Sequence, residues 1–193
     1  MSFCLIILAG GNSHRFRSKI SKPYQKIAGK SLIEIIIFKA QKFKQIKKIV
    51  VVYNKKDLKR IKFLKLKNVK LIVGGKSRQL STLNALKYLI SKKGLSKVLI
   101  HDAARPNFST KLLKSILRYT KNAKAVIPKI NIQDAIKQII DTSKDEYIVG
   151  KKRDNLFLTQ TPQAFNLKEI YYLHKNYSGK YKDDDISLYM DLN

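Results

Sequence analysis

Phe3-Cys-Leu-Ile-Ile-Leu8 is an unbroken apolar run that stops at Gly10-Gly11. Continuous rather than alternating apolar character marks a strand covered on both faces, and glycines directly after it let the backbone turn. Working outward, the same unit recurs. Ser31-Leu-Ile-Glu34 has capping-box spacing and opens a helical stretch to about Phe43. Lys48 to Tyr53 reads as the next strand, followed by a lysine-rich helix from about Lys55 to Leu66. Val69 to Val73 is a third strand ending in Gly74-Gly75, and Ser81 to Ile90 carries helical apolar spacing. Val98 to Asp102 is a fourth strand, Ser109 to Thr120 another helix, and Ala125 to Pro128 a fifth strand. The alternation predicts a layered α/β fold with a mainly parallel sheet. After Pro128 the pattern changes: Ala135 to Ile140 and Glu146 to Val149 alternate like a hairpin, predicting an arm over about 130–150.

A length of 193 residues suits one domain with a sizeable core. With 44% hydrophobic and 28% charged residues, disordered and fibrous classes are excluded. No apolar run approaches the roughly 18 residues of a membrane span. Phe3 to Leu8 is too short for a signal-peptide core and lacks a basic lead-in. The expectation is therefore a mature cytoplasmic protein without a membrane partner. Cys4 is the only cysteine, so an internal disulfide and a thiolate zinc site are both excluded, and a buried, inert thiol is expected.

Lys and Arg total 41 against 13 acids, a formal charge of +28, which ordinarily suggests nucleic acid. Yet only seven of the 41 are arginines, the residue that reads guanine edges and clamps phosphate bidentately. The 34 lysines are scattered rather than gathered on one stripe. The charge therefore reads as compositional drift, with no specific nucleic-acid partner. It still favours anionic small molecules such as nucleotides and sugar phosphates.

In an open parallel sheet, ligands bind beyond the carboxyl ends of the strands. Three features lie there. The first is the small-residue loop Leu8-Ala-Gly-Gly-Asn-Ser-His-Arg-Phe16, which matches neither Gly-x-x-x-x-Gly-Lys-Ser/Thr nor Gly-x-Gly-x-x-Gly. Its glycines alone make only a turn, but Arg15 and Lys22 supply two cations able to converge on one polyphosphate. The second is Gly74-Gly-Lys-Ser-Arg-Gln-Leu-Ser81, a loop leading into a helix start. It suits an anion or base edge and reads equally well as a turn with an N-cap serine. The third is His101-Asp-Ala-Ala-Arg-Pro106. Asp102, at a strand end beside two small residues, is placed to hold Mg²⁺ on a nucleotide, although strand-end aspartates also form turns and caps. His101 alternates to the opposite face and reads as structural.

Taken in order, Leu8-Ala-Gly-Gly11 with Arg15 and Lys22, Gly74-Gly-x-x-Arg78-x-x-Ser81, Val98 to Pro106, and Thr159-Gln-Thr-Pro-Gln163 closely resemble the 2-C-methyl-D-erythritol 4-phosphate cytidylyltransferase family. Ribitol-5-phosphate cytidylyltransferases are similar across the same motifs. The resemblance implies a Rossmann-like, doubly wound sheet and one nucleotidyltransferase domain over 1–193, with an arm for homodimerisation. It implies transfer of a cytidylyl group from CTP to a polyol phosphate, with Mg²⁺ as cofactor. By the same resemblance Arg15 and Lys22 are catalytic cations and Asp102 the metal ligand. Leu8, Ala9, Gly10, Gly11, Gly74, Gly75, Arg78, Ser81 and Ala103 are implied to bind the nucleotide. Arg105, Asp134 and Arg153 are implied to bind the second substrate, Arg153 reaching a partner subunit's site.

The departures carry their own expectations. The family usually reads Pro-Lys-Gln-Tyr where this chain has Ser21-Lys-Pro-Tyr-Gln25, so the backbone around Lys22 is expected to shift. The first loop is one residue longer before Arg15. Ala135 stands where the family often has threonine, removing a hydroxyl contact that Lys129 or Lys137 is placed to replace. After Asp183-Asp-Asp-Ile-Ser187 the family continues through a strand, a helix and a substrate-binding lysine. The expectation is a piece of a longer polypeptide, such as the front of a form fused to the cyclodiphosphate synthase, or a truncation. The implied chemistry is in-line attack of an anionic phosphate on the α-phosphorus of CTP, needing positioning and charge neutralisation but no general base.

Overall fold

Burial along the first strand splits by parity. Phe3, Leu5, Ile7 and Ala9 pack into one apolar cluster, and Cys4 and Ile6 into another. A strand that serves two cores at once must be interior to a sheet with helices on both faces. The computed structural model describes residues 1–11, 18, 20–64, 66–141, 146–177, 179 and 183–190. In chain order the elements are β1 (Phe3–Ala9), β2 (Lys26–Ile27), β3 (Lys30–Ser31), α1 (Leu32–Gln41), β4 (Ile46–Tyr53), α2 (Leu58–Phe63), β5 (Val69–Val73), α3 (Arg78–Ile90) and β6 (Lys97–Asp102). There follow α4 (Thr110–Tyr119), β7 (Ala125–Val126), β8 (Lys129–Asn131), β9 (Ile136–Asp141), β10 (Glu146–Lys151), β11 (Phe157–Thr159), β12 (Gln163–Asn166), α5 (Leu167–Asn176) and α6 (Ser187–Met190).

The central sheet has the order β5-β4-β1-β6-β12-β7. Its first four strands are parallel, and β12 runs antiparallel to both β6 and β7. Ile33 and Ile36 of α1 and Leu113 and Ile116 of α4 cover one face. Leu86 and Leu89 of α3 and Ile170 of α5 cover the other. The doubly wound, mainly parallel architecture is therefore present. Cys4 is fully buried, and burial pushes its thiol up to about 12, where it is inert.

Several boundaries differ from the sequence reading. The capping box at Ser31 and Glu34 is formed, but α1 closes at Gln41. The lysine-rich helix shortens to a 3-10 turn over Lys55–Asp57 and the six residues of α2. The third helix begins at Arg78, because Ser77 is the cap and its Oγ accepts from the Leu80 N–H. The fifth strand is two residues long. Strand β12 and helix α5, neither anticipated, complete the sheet and its second face. The hairpin is β9 paired antiparallel with β10, Ile136 opposite Lys151 at its base, while β8 pairs with β11.

Candidate active site

The parallel strands deliver their carboxyl ends to one edge, and backbone hydrogen bonds tie the loops together there. Ala103 N–H donates to the Leu8 carbonyl at 3.0 Å, and Gly74 N–H to the Tyr53 carbonyl at 2.8 Å. Asn54 Nδ2 donates to the Gly10 carbonyl at 3.2 Å. Leu8, Ala9, Gly10, Gly74 and Ala103 are thus gathered, and among the described residues nothing stands within 4 Å of where a Cβ on Gly11 would be. Arg15 lies outside the described residues.

Gly75 is glycine because α3 leaves no room for anything else. A Cβ there would stand 2.4 Å from Leu80 Cβ. At Gly74 it would stand 2.9 Å from Ser81 Oγ. Ser81, one turn inside α3, accepts the Gly75 N–H at 3.1 Å, so its hydroxyl joins loop to helix.

Asp102 emerges on the α3 side of the sheet, between two guanidinium groups. Arg105 Nε lies 3.2 Å from Oδ2, and Arg78 Nη2 3.5 Å from Oδ1. Arg78 is gripped more tightly from behind, its Nη1 2.7 Å from Oδ2 of the fully buried Asp185. His174 Nε2 lies 3.0 Å from the other Asp185 oxygen. Burial alone would raise the Asp185 carboxyl; the Arg78 charge and the His174 hydrogen bond outweigh it and hold the group below the usual carboxylate range. Burial alone would lower Arg78, and Asp185 and Asp102 together hold it above its ordinary value. The sequence assigned no role to Asp185 or His174; the one signal was the run of three acids, Asp183 to Asp185, in a chain holding 13.

Among the described residues no group of three or more His, Cys, Asp or Glu side chains could hold a metal ion. A half-exposed single carboxylate nevertheless fits Mg²⁺, which keeps several waters and takes one or two carboxylates plus substrate phosphates. It does not fit a structural zinc site.

His101 turns to the other face, as strand alternation requires, and is fully buried. Burial pushes its ring down to about 3, so it is neutral. Its Nδ1 lies 2.8 Å from Thr161 Oγ1, and its Nε2 3.0 Å from the Arg105 carbonyl. Thr161 Oγ1 in turn accepts the Asp102 N–H at 3.3 Å, and the Thr161-Pro162 peptide is cis. Arg105 also donates through Nη1 to Gln160 Oε1.

Lys22 is exposed, but its neighbours are anchored. Ser21 Oγ donates to buried Asp57 at 3.1 Å, and Pro23 and Tyr24 are buried in a 3-10 turn over Lys22–Tyr24. The relocated proline thus starts a turn that presents Lys22 outward. Asp134 is exposed, and Arg153 Nη1 donates to the neighbouring Gln133 carbonyl. These two form a second group, at the root of the hairpin.

A family model described as 2-C-methyl-D-erythritol 4-phosphate cytidylyltransferase matches residues 3–191. The chain belongs to this family. It is 46% identical over 184 residues to the bifunctional enzyme IspD/IspF of Pelagibacter ubique, covering 95% of this chain and 48% of that protein. It is 34% identical over 189 residues to the 2-C-methyl-D-erythritol 4-phosphate cytidylyltransferase of Thermosipho africanus, covering 93% of this chain and 80% of that one. The crystal structure of the 4-diphosphocytidyl-2C-methyl-D-erythritol synthase of Anaerococcus prevotii superposes with a TM-score of 0.82 at 31% identity, covering 98% of this chain and 82% of that one. The bifunctional IspDF of Campylobacter jejuni superposes with a TM-score of 0.81 at 25% identity, covering 100% and 47% respectively. The chain thus spans about half the length of its bifunctional relatives.

Proposed function

We propose that this chain transfers a cytidylyl group from CTP to 2-C-methyl-D-erythritol 4-phosphate, forming 4-diphosphocytidyl-2-C-methyl-D-erythritol and pyrophosphate. The observation that carries it is Asp102 at the carboxyl end of β6, flanked by Arg78 and Arg105, in a chain of this family. An oxygen of the 4-phosphate attacks the α-phosphorus of CTP, and the bond from that phosphorus to the bridging oxygen breaks. Both reactants are anions, so the protein's task is to bring them together against their repulsion and meet the charge that builds. Arg15 and Lys22 meet that charge on the α-phosphate and the departing pyrophosphate. The loops at Gly10-Gly11 and Gly74-Gly75 seat the nucleotide, with Leu8, Ala9, Ser81 and Ala103 forming their supports. Asp102 would hold Mg²⁺, which supplies positive charge to the phosphate oxygens when bound. Arg105, Asp134 and Arg153 orient the polyol phosphate.

The second part of the proposal is a homodimer built through β9 and β10. Ile139 and Ile148 are 60% and 66% exposed, and Ile130, Leu156, Phe157 and Leu158 at the root of the hairpin are exposed as well. A two-stranded ribbon with so much uncovered apolar surface is marginal by itself and gains by covering it with a second copy. No described helix is long and apolar enough to cross a membrane, and a cytoplasmic setting is part of the same proposal. Pyrophosphate release measured with each of the four nucleoside triphosphates and several polyol phosphates tests the reaction. Equal rates with ribitol 5-phosphate, or preference for another triphosphate, would overturn the substrate assignment.

A further inference from the structure

His101 and Thr161 stand 60 positions apart in the chain and meet through a hydrogen bond inside the core. The partners of each fix the direction of every proton in the set. The Arg105 carbonyl only accepts, so His101 Nε2 carries the hydrogen and donates across 3.0 Å. In a neutral ring Nδ1 then holds a lone pair, and the Thr161 hydroxyl donates to it across 2.8 Å. A lone pair of Thr161 Oγ1 accepts the Asp102 N–H. The chain of bonds therefore begins at Asp102 and ends at Arg105, the two residues that bracket the strand-end turn. Arg105 N–H also donates to the Asp102 carbonyl at 3.1 Å, closing that turn from within. From α1, Lys39 Nζ takes the Pro106 carbonyl at 2.7 Å and the Phe108 carbonyl at 3.0 Å. Phe108 packs edge-on to His101, ring centroids 4.8 Å apart.

An apolar side chain would fill the space beside Phe108 equally well, but it would leave the Thr161 hydroxyl without its acceptor and the Arg105 carbonyl without its donor. We propose that His101 is a positioning residue: through Thr161 and the Arg105 carbonyl it fixes the turn from Asp102 to Arg105, so that carboxylate and guanidinium meet the metal-nucleotide and the polyol phosphate in one orientation. The proposal rests on the cytidylyltransferase reading above. Its physical basis is that one ring nitrogen bonds directly to the backbone that carries the site, at the Arg105 carbonyl, and the other reaches it through the Thr161 hydroxyl, at the Asp102 N–H.

The two ring nitrogens can be tested separately. His101→Gln places an amide near the Nε2 position and keeps the Arg105 bond while losing the acceptor for Thr161. His101→Asn places a carbonyl near Nδ1 and does the reverse. Thr161→Val removes the hydroxyl at similar volume, and Thr161→Ser restores it. Each variant of the full chain is assayed for kcat, for KM of both substrates and for the Mg²⁺ concentration giving half activity. Amide hydrogen exchange over residues 102–106 and Tm are measured alongside. The expected result is a fall in kcat of roughly tenfold or more in His101→Gln and Thr161→Val, as for any small misplacement of reacting groups. The Mg²⁺ requirement rises, exchange at the Asp102 amide quickens, the CTP KM changes little, and Thr161→Ser returns to parental behaviour. Folded variants with parental kcat, Mg²⁺ requirement and exchange overturn the proposal. So does a loss of every constant in step with the folded fraction, which means a purely structural histidine. If the parent chain transfers no cytidylyl group, the functional reading fails, and the exchange measurement still decides the positioning role.

Discussion

Arg78 sits between two carboxylates of unequal burial, and that inequality decides its role. Asp185, sealed from solvent, holds it at 2.7 Å; Asp102, half-exposed, touches it at 3.5 Å. The tighter pair with Asp185 anchors the guanidinium, which in the proposed reaction leaves Asp102 available to a metal-bound nucleotide. Asp185→Asn strips the partly buried Arg78 of its fully buried counter-charge and should destabilise the fold by on the order of 3 kcal/mol in urea unfolding. The sign of the pH effect follows from the depressed carboxyl. Stability is fully present above the unfolded aspartate value of about 3.9 and is lost as pH falls below it, by up to about 1.4 kcal/mol per pH unit for one proton. Acid unfolding of parent and Asp185→Asn chains, followed by circular dichroism, should therefore converge toward low pH. If Arg15 and Lys22 act as proposed, Arg15→Ala and Lys22→Ala should each lower kcat by about two to three powers of ten while altering CTP binding less, since cations aimed at a transition state act on the chemical step. A raised CTP KM at unchanged kcat would leave only ground-state binding. Asp102 was legible because a lone carboxylate ended an apolar strand. Asp185 was not, because its role depends on packing against α3 and α5, which no local pattern encodes.

Among the elements, α3 shows where local reading loses its grip. The apolar helical spacing becomes plain at Ser81, four residues past the Ser77 cap. The helix starts at the Ser77 cap, whose Oγ accepts the Leu80 N–H, and Gly75 leaves room for that first turn, since a Cβ there would stand 2.4 Å from Leu80 Cβ. Gly75→Ala drives a methyl group into that turn and should cost about 1–3 kcal/mol, with CTP binding weakened in parallel; calorimetric Tm and titration of CTP check both. The hairpin, by contrast, was visible in the alternation of 135–140 and 146–149, because a strand pair with little cover writes its period plainly. If it joins two subunits with Arg153 serving the partner's site, activity per subunit falls on dilution below the dimer dissociation constant. Mixing Arg153→Ala chains with Arg15→Ala chains should then recover activity, since some mixed dimers hold one site of intact residues. Mixed dimers without recovery would place Arg153 in its own subunit's site or outside binding altogether.

At the scale of the molecule, the four parallel strands were readable because each carries a dominant apolar run bounded by turn or polar residues. Strand β12 was not: Gln163-Ala-Phe-Asn166 is short and mixed, and it is a strand only because β6 and β7 wait on either side. The cations behind the charge of +28 are scattered along the sequence, so retention on DNA should weaken steeply with salt and show no sequence preference in a competition assay.

The lateness of β12 has a consequence for synthesis. Ile100 pairs with Gln163, which leaves the ribosome some sixty residues afterwards, and among the described strands β7 joins the sheet through β12 alone. At about 5–20 residues per second, the outer edge of β6 stays bare for roughly 3–12 s, with Val98 to Ile100 offering unpaired backbone to any passing strand. Nascent chains halted before Gln163 should accordingly sediment as aggregates or be found with holdase chaperones, and those released beyond α5 should not. For this protein the interval between two strands on the messenger is an exposure time, and the central sheet is safe only once its antiparallel cover has been made.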